Sequence, residues 1–349
     1  MKLNVTPLLE AIEQYIAKAD NDLEDQLNEE GYVEAGVAVS HMGAIEDGVT
    51  AAVENNVDEV LARLQSASGV DDFIENVWPE ISNSDEMEKA LYDLFYQQFD
   101  ELLRRFTKQW IISADPELGE VVDDRITRPA EAFIKGWSQQ LADIMHLNTK
   151  DGIEKILLDA QEQNQTIDEV AQAIADSGIR ECGYRSRRVA VTEVLRVEEY
   201  AHQEARIQNP SCYKKEWVHT GAAHPRENHV AISGQQVFKR EPFTLTGKNG
   251  GTYYPMCPRD TSLPAEESIN CHCITKDIVD QEILGMSLDE RVSLREKYMS
   301  EVNAEYDAFE QKFNEERGIE EMRDDPSITW DMYNAYYEAC RNGEMEKFE

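Results

Sequence analysis

The sequence lacks a long apolar run, and this absence excludes a membrane-spanning helix. Such a helix needs about 20 consecutive apolar residues, and charged side chains interrupt every apolar stretch of this 349-residue chain. The N-terminal segment has acidic residues where a secretory signal peptide carries its apolar segment. We therefore expect a protein that is made in a cytoplasm and has no membrane anchor.

Basic side chains are also scarce. The chain has 34 Lys and Arg against 70 Asp and Glu, a net charge of −36. Proteins that coat DNA or RNA neutralise several phosphates with Lys and Arg, so this balance excludes a general nucleic-acid binder. Residues 201–250 differ, because they hold seven basic and four acidic side chains. A local contact with nearby DNA therefore remains open.

Cysteines are too few for a disulfide framework. Six occur in the whole chain, and in a reducing compartment they stay as thiols. They stand at positions 182, 212, 257, 271, 273 and 340. Their clustering between 257 and 273 favours metal binding over bridges.

Apolar residues at helical spacing fill most of the chain. One stripe runs through 6–30 and ends near Gly31, and a stronger one runs from Met87 to Trp110. Residues 41–66 are expected to be helical, and 67–86 to form a polar connection. Stripes of this kind are typical of the core of a helical bundle.

Helix boundaries are marked by capping residues. Residues 127–208 have the pattern of successive helices, with a helix–turn–helix over 149–178. Thr149 and Asp151 are candidates for a helix start, and Thr166 with Glu169 has the spacing of a capping box. Ser287 and Glu290 have the same spacing before a long helix near the C-terminus.

The pattern changes between Asn209 and Thr275. This segment has six prolines, five glycines and two short candidate strands, "KKEWVH" and "QQVFKR". The sequence predicts a mainly α protein with a small α+β module: a helical N-terminal region, a compact loop- and β-rich Cys/His module near 209–275, and C-terminal helices. We place domains at 1–126, 127–275 and 276–349.

Histidine and cysteine cluster in this module. Thiolate and imidazole are preferred zinc ligands, and a structural zinc takes four of them in a tetrahedron. We predict one structural zinc ion bound by His229, Cys257, Cys271 and Cys273, with His224 as an alternative to His229. The other interpretation is a set of reduced, partly buried thiols beside a hydrogen-bonded histidine.

The order of residues in the module resembles a known family. Trp217, Arg226, His229 and Gly234 precede "YPMCPRDTSLPAEESINCHC", which contains Asn270. Upstream, "RSRRVAVTEVLRVEEYA" has Thr192, Glu193 and Arg196. This pattern resembles the signature of the phage Mu F-like minor head protein family.

The resemblance implies a non-enzymatic minor capsid protein in a phage head. Members are associated with the portal vertex and act in head morphogenesis or genome ejection. Implied partners are the portal protein and other head proteins, with packaged DNA nearby, and the implied location is the virion head.

Two alternatives stay open. A zinc-dependent enzyme or toxin-associated module would use the His/Cys cluster, with Glu227 as general base. A DNA-contacting ejection protein would use Arg185, Arg187 and Arg188.

Overall fold

The computed structural model describes residues 19–179, 183–221 and 225–342, and its N-terminal part is helical. Among the described residues, helix α1 spans residues 19–30, α2 spans Ala35–Ser66 and α3 spans Glu86–Ala114. The stripe of α3 faces the core, where Phe95, Phe99 and Phe106 are buried.

The prediction of a polar connection over 67–86 was wrong. Three consecutive helical turns lie there, Val70–Asp72, the π-helical Phe73–Val77, and Trp78–Ser82. Phe73, Trp78 and Ile81 are buried, so burial of these apolar side chains stabilises helical turns despite the polar residues around them.

Four helices follow α3: α4 (Pro116–Val121), α5 (Arg128–Glu162), α6 (Ile167–Asp176) and α7 (Gly183–Gln208). No new helix starts at Thr149 or Asp151, because α5 continues through them. The Thr149 hydroxyl donates to the Met145 carbonyl one turn earlier, at 2.9 Å. It is therefore bound inside a helix and does not cap one. The capping box of Thr166 and Glu169 at the start of α6 is confirmed.

A small antiparallel sheet carries the module. Strand β1 (Cys212–Val218) lies at its centre, between β2 (Gln236–Phe238) and β5 (Ile274–Val279). Two short strands, β3 (Leu245–Thr246) and β4 (Thr252–Tyr253), pair with each other. Two one-turn helices lie in the connections, α8 (Glu227–Ala231) and α9 (Ala265–Ser268). Both predicted strands are thus confirmed, as is a mainly helical fold with a small α+β module.

Helices return after β5. They are α10 (Gln281–Leu284), α11 (Leu288–Arg317) and α12 (Trp330–Asn342), with a 3-10 turn at Met322–Asp324. Ser287 and Glu290 form the predicted reciprocal hydrogen bonds at the start of α11. None of the described helices has an apolar stretch long enough to cross a membrane.

The described chain forms two compact units. Unit 1 comprises 19–42, 102–127, 191–221 and 225–303, and unit 2 comprises 43–101, 128–179, 183–190 and 304–342. Unit 1 holds the sheet and the Cys/His module. Unit 2 contains an aromatic core in which Phe309 packs against Tyr333 and Tyr337. The domain boundaries drawn from the sequence stay a prediction.

Candidate functional site

Three of the predicted ligands meet in unit 1. His229 is presented by α8, and Cys271 and Cys273 lie in the turn that leads into β5. Their potential ligand atoms all lie within 4.8 Å of one another. The Nδ1 atom of His229 is 3.4 Å from Cys271 Sγ and 3.6 Å from Cys273 Sγ. We call these three residues the Cys/His group.

The fourth predicted ligand is not part of this group. Cys257 is buried, but the structure does not bring it into the Cys/His group. Burial raises the pKa of its thiol well above the usual range. His224, the alternative ligand, lies outside the described residues.

The second ring nitrogen of His229 contacts a buried carboxylate. His229 Nε2 lies 3.0 Å from Oε2 of Glu267 in α9. Glu267 also accepts hydrogen bonds from the Lys248 amide at 2.7 Å and from the Asn228 side chain at 3.0 Å. Burial raises the pKa of Glu267, but these hydrogen bonds outweigh it and hold the pKa below the usual range. Placed between these donors, Glu267 Oε2 acts as the acceptor for a proton on His229 Nε2, and Nδ1 faces the sulfur atoms.

Arg259 holds the backbone of the Cys271–Cys273 turn. Its Nη1 donates to the Cys271 carbonyl and, at 3.0 Å, to the Cys273 carbonyl. Its side chain is fully buried. A hydrogen bond from the Cys273 thiol, followed by the nearby Arg259 charge, holds the pKa of Cys271 well below its usual range although burial acts to raise it. Arg259 thus fixes the cysteine turn and places a positive charge near its sulfur atoms.

Apolar residues of the module cover the Cys/His group. The ring of Trp217 packs edge-on against the His229 ring, with the centroids 5.6 Å apart, and edge-on against the Phe243 ring, with the centroids 5.4 Å apart. Trp217 and Phe243 are fully buried, and His229, Cys271 and Cys273 are at most 3% exposed. A substrate in solution has no access to atoms buried to this degree.

Two signature residues, Trp217 and Gly234, position the turn between α8 and β2. The Gly234 amide donates to the Trp217 carbonyl at 2.8 Å. Gly234 has a φ of 90°, a left-handed conformation that glycine adopts without steric cost. Glycine at this position therefore fixes Trp217 against β2.

Arg226 and Asn270 join α8 to the cysteine turn. Arg226 donates from Nε to the Glu266 carbonyl at 2.9 Å and from Nη2 to the Ile269 carbonyl at 2.5 Å. Asn270 has a φ of 55°, a region in which asparagine is enriched among non-glycine residues. Both residues shape the backbone that carries Cys271.

The signature residues of α7 form a buried ion pair. Arg196 Nε lies 2.8 Å from Glu193 Oε2, and its Nη1 donates to the Arg259 carbonyl. Thr192 accepts a long hydrogen bond of 3.5 Å from the Asn270 amide. Arg196 and Thr192 therefore connect α7 to the loop that carries the cysteines, and Glu193 pairs with Arg196.

Sequence reasoning missed Arg259 and Glu267 as parts of this site. Both are charged residues in a proline-rich segment, where no periodic pattern indicates burial. The sequence analysis also did not predict a buried polar network between α7 and β5. That network comprises Glu199, His202, Arg206, Thr275 and Asp277. The only signal in the sequence was that polar residues occupy every face of α7.

Comparisons with known proteins place this module in a family. The model for phage Mu protein F-like proteins matches residues 151–276. The uncharacterized protein YqbB of Bacillus subtilis is 34% identical over 222 residues, which are 60% of this chain and 69% of YqbB. No solved structure matches significantly.

A second relative is an enzyme of Enterococcus faecalis, the NAD(+)–arginine ADP-ribosyltransferase EFV. It is 31% identical over 117 residues, which are 33% of this chain and 22% of that enzyme. The family match includes α7, the sheet and all three members of the Cys/His group. The chain belongs to the phage Mu protein F-like family.

Proposed function

We propose that this protein is a minor head protein of a tailed phage, located in the virion head and made in the host cytoplasm. Its partners are the portal protein and other head proteins, and it acts in head morphogenesis or genome ejection without catalysing a reaction. The family match over residues 151–276 carries this proposal. The signature residues support it, since Arg226 and Arg196 bind backbone carbonyls of the module.

The site geometry favours a structural role over catalysis. The Cys/His group is almost fully buried, whereas a catalytic metal site keeps a position open to substrate. Glu227, the candidate general base, is exposed on α8, and Glu267 is the carboxylate that contacts His229. The related ADP-ribosyltransferase shares 22% of its length with this chain, which is too little to transfer its activity.

Charge argues against general binding to DNA, even for a protein located near packaged DNA. The net charge of −36 repels phosphate. In the candidate DNA-contacting cluster on α7, Arg187 Nη1 lies 3.2 Å from Glu46 Oε2. The Arg188 guanidinium lies over the Tyr184 ring at 5.6 Å. Arg187 is thus engaged in an ion pair, and protein contacts remain the main expected interactions.

A deletion of the gene from its phage tests the proposal. We expect the chain in purified heads by mass spectrometry, in a few copies, and cross-linked to the portal protein. Deletion should give heads of abnormal assembly or particles that fail to deliver DNA. A Glu227→Gln protein should restore infectivity fully, because that exposed carboxylate has no catalytic role.

Two results would overturn the proposal. The first is absence of the chain from heads together with a normal titre of the deleted phage. The second is loss of infectivity on Glu227→Gln substitution in a protein that still enters heads, which would indicate catalysis. Portal-free heads that retain the chain at its usual copy number would contradict the location at the portal.

A further inference from the structure

The spacing of the Cys/His group matches the edges of a metal tetrahedron. Zinc binds nitrogen at about 2.0–2.1 Å and sulfur at about 2.3 Å, so a tetrahedral site has nitrogen–sulfur edges of about 3.6 Å. The two edges from His229 Nδ1 measure 3.4 Å to Cys271 and 3.6 Å to Cys273. These two distances, with all three ligand atoms within 4.8 Å of one another, place the group for one common ion.

Hydrogen bonds account for only part of this arrangement. With the proton of His229 on Nε2, facing Glu267, Nδ1 has a single lone pair in the ring plane. Two sulfur atoms, Cys271 Sγ and Cys273 Sγ, lie at nearly equal distance from that nitrogen. That lone pair accepts one thiol proton well, and the other sulfur is then left with a hydrogen bond to its neighbouring sulfur alone, whereas one cation is bound by all three ligand atoms at once.

The surroundings have the features that support a metal ligand. Histidine ligands commonly donate their other ring N–H to a carboxylate, which fixes the tautomer and the ring orientation. Glu267 has this relation to His229, and it is itself held by the Lys248 amide and Asn228. The Arg259 charge lies against the Cys271–Cys273 turn and offsets the negative charge of two thiolates.

We propose that His229, Cys271 and Cys273 bind one zinc ion, with Glu267 as the hydrogen-bond partner that orients His229. This assignment does not depend on the proposed function. It revises the ligand set expected from the sequence, because no fourth His, Cys, Asp or Glu atom joins the group among the described residues. The fourth coordination position is therefore left to another group, and the burial of all three ligands keeps it from a substrate in solution. The ion would tie α8 to the start of β5 in a segment with few apolar residues, so that binding energy contributes to folding.

Metal content of the purified full-length protein tests the proposal. We expect about one zinc per chain in the wild type and in Cys257→Ser, and loss of zinc in His229→Ala and Cys271→Ser. Cys257→Ser is the matched control, since it removes a buried thiol of the same module outside the Cys/His group. X-ray absorption at the zinc edge should show two sulfur neighbours.

The ligand set and the metal can be refuted separately. Three sulfur neighbours, or zinc loss in Cys257→Ser equal to that in Cys271→Ser, would overturn the three-residue set. Because a ligand variant could simply fail to fold, the wild type is also stripped with a chelator and titrated with Zn²⁺. A melting temperature that neither falls on stripping nor recovers on titration would overturn the proposal.

Glu267→Gln tests the orienting role apart from ligation. We expect zinc to bind about 10- to 100-fold more weakly, because partners of this kind contribute that much to affinity. The two-sulfur spectrum should be unchanged, since all three ligands remain. An unaltered affinity in a folded Glu267→Gln protein would show that Glu267 does not position His229 for the metal.

Discussion

The imidazole of His202 lies flat against the indole of Trp110, with ring centroids 3.6 Å apart and planes 5° from parallel. On its edge, His202 Nε2 is 3.0 Å from Asp277 Oδ1, and Arg206 Nε is 2.5 Å from the same oxygen. Burial alone would raise the pKa of Asp277, but His202 and Arg206 hold it well below the usual range. An ionised Asp277 thus joins β5 to two residues of α7.

Replacing Asp277 by Asn should destabilise unit 1 by about 3–5 kcal/mol near neutral pH, because it leaves Arg206 buried without its counter-charge. A carboxyl whose folded pKa is depressed contributes stability above its unfolded pKa, near 3.9, and loses it as the pH falls towards the folded value. The deficit of Asp277→Asn should therefore be constant between about pH 8 and 5 and shrink below about pH 4.

Urea unfolding followed by circular dichroism at several pH values measures this deficit. Asp151→Asn is the control, because Asp151 is exposed on α5 and should change the free energy of unfolding by less than about 0.5 kcal/mol. A deficit of the same size in both variants would refute the structural role assigned to Asp277.

Glu198 should show the opposite dependence on pH. Burial, followed by the neighbouring Glu199 charge, raises its pKa well above the usual range. A raised pKa stabilises the fold below the unfolded value, near 4.3, and this stability is lost as the pH rises. In the wild type, the Val33 amide donates to Glu198 Oε1 at 2.8 Å. Glu198→Gln removes the ionisable group but keeps an oxygen that can accept this hydrogen bond.

We therefore expect Glu198→Gln to gain stability relative to the wild type as the pH rises from 5 to 8. Unfolding in urea at those two pH values gives the comparison. A stability difference that does not change with pH would mean that the Glu198 carboxyl titrates normally in the folded protein.

Gly136 of α5 makes room for Trp330 of α12 within unit 2. A Cβ atom at position 136 would lie 2.2 Å from Trp330 Cε3. Gly136→Ala should thus cost about 1–3 kcal/mol through overpacking. Gly43 in α2 has no atom within 4 Å of such a Cβ, so Gly43→Ala should stabilise the protein by about 0.5–1 kcal/mol. The melting temperature should fall in Gly136→Ala and rise in Gly43→Ala. If both variants shift the melting temperature in the same direction, one of the two predictions is wrong.

Periodicity revealed the helices but not the polar parts of the site. The stripe from Met87 to Trp110 predicts α3 because apolar spacing follows the helix repeat directly. Arg259 and Glu267 could not be predicted as buried, since their burial depends on carbonyl and imidazole partners brought close by tertiary folding. The Cys/His group was predicted from ligand chemistry, which places His229 with Cys271 and Cys273 but does not indicate how the loop around Cys257 folds.

Thr149 and Thr166 were both predicted to start a helix, and the structure gives their hydroxyl groups different roles. Thr166 accepts a hydrogen bond from the Glu169 amide as the N-cap of α6, whereas Thr149 donates to the Met145 carbonyl inside α5. Valine keeps the shape of threonine and removes the hydroxyl. Thr166→Val should lower the free energy of unfolding by about 0.5–2 kcal/mol, the usual value of a lost N-cap. Thr149→Val should cost less, because a hydroxyl bonded back to the preceding turn contributes little to an α-helix that is already hydrogen-bonded. Urea unfolding of both variants measures the difference. An equal or greater cost at Thr149 would contradict the minor role assigned to its hydroxyl inside α5.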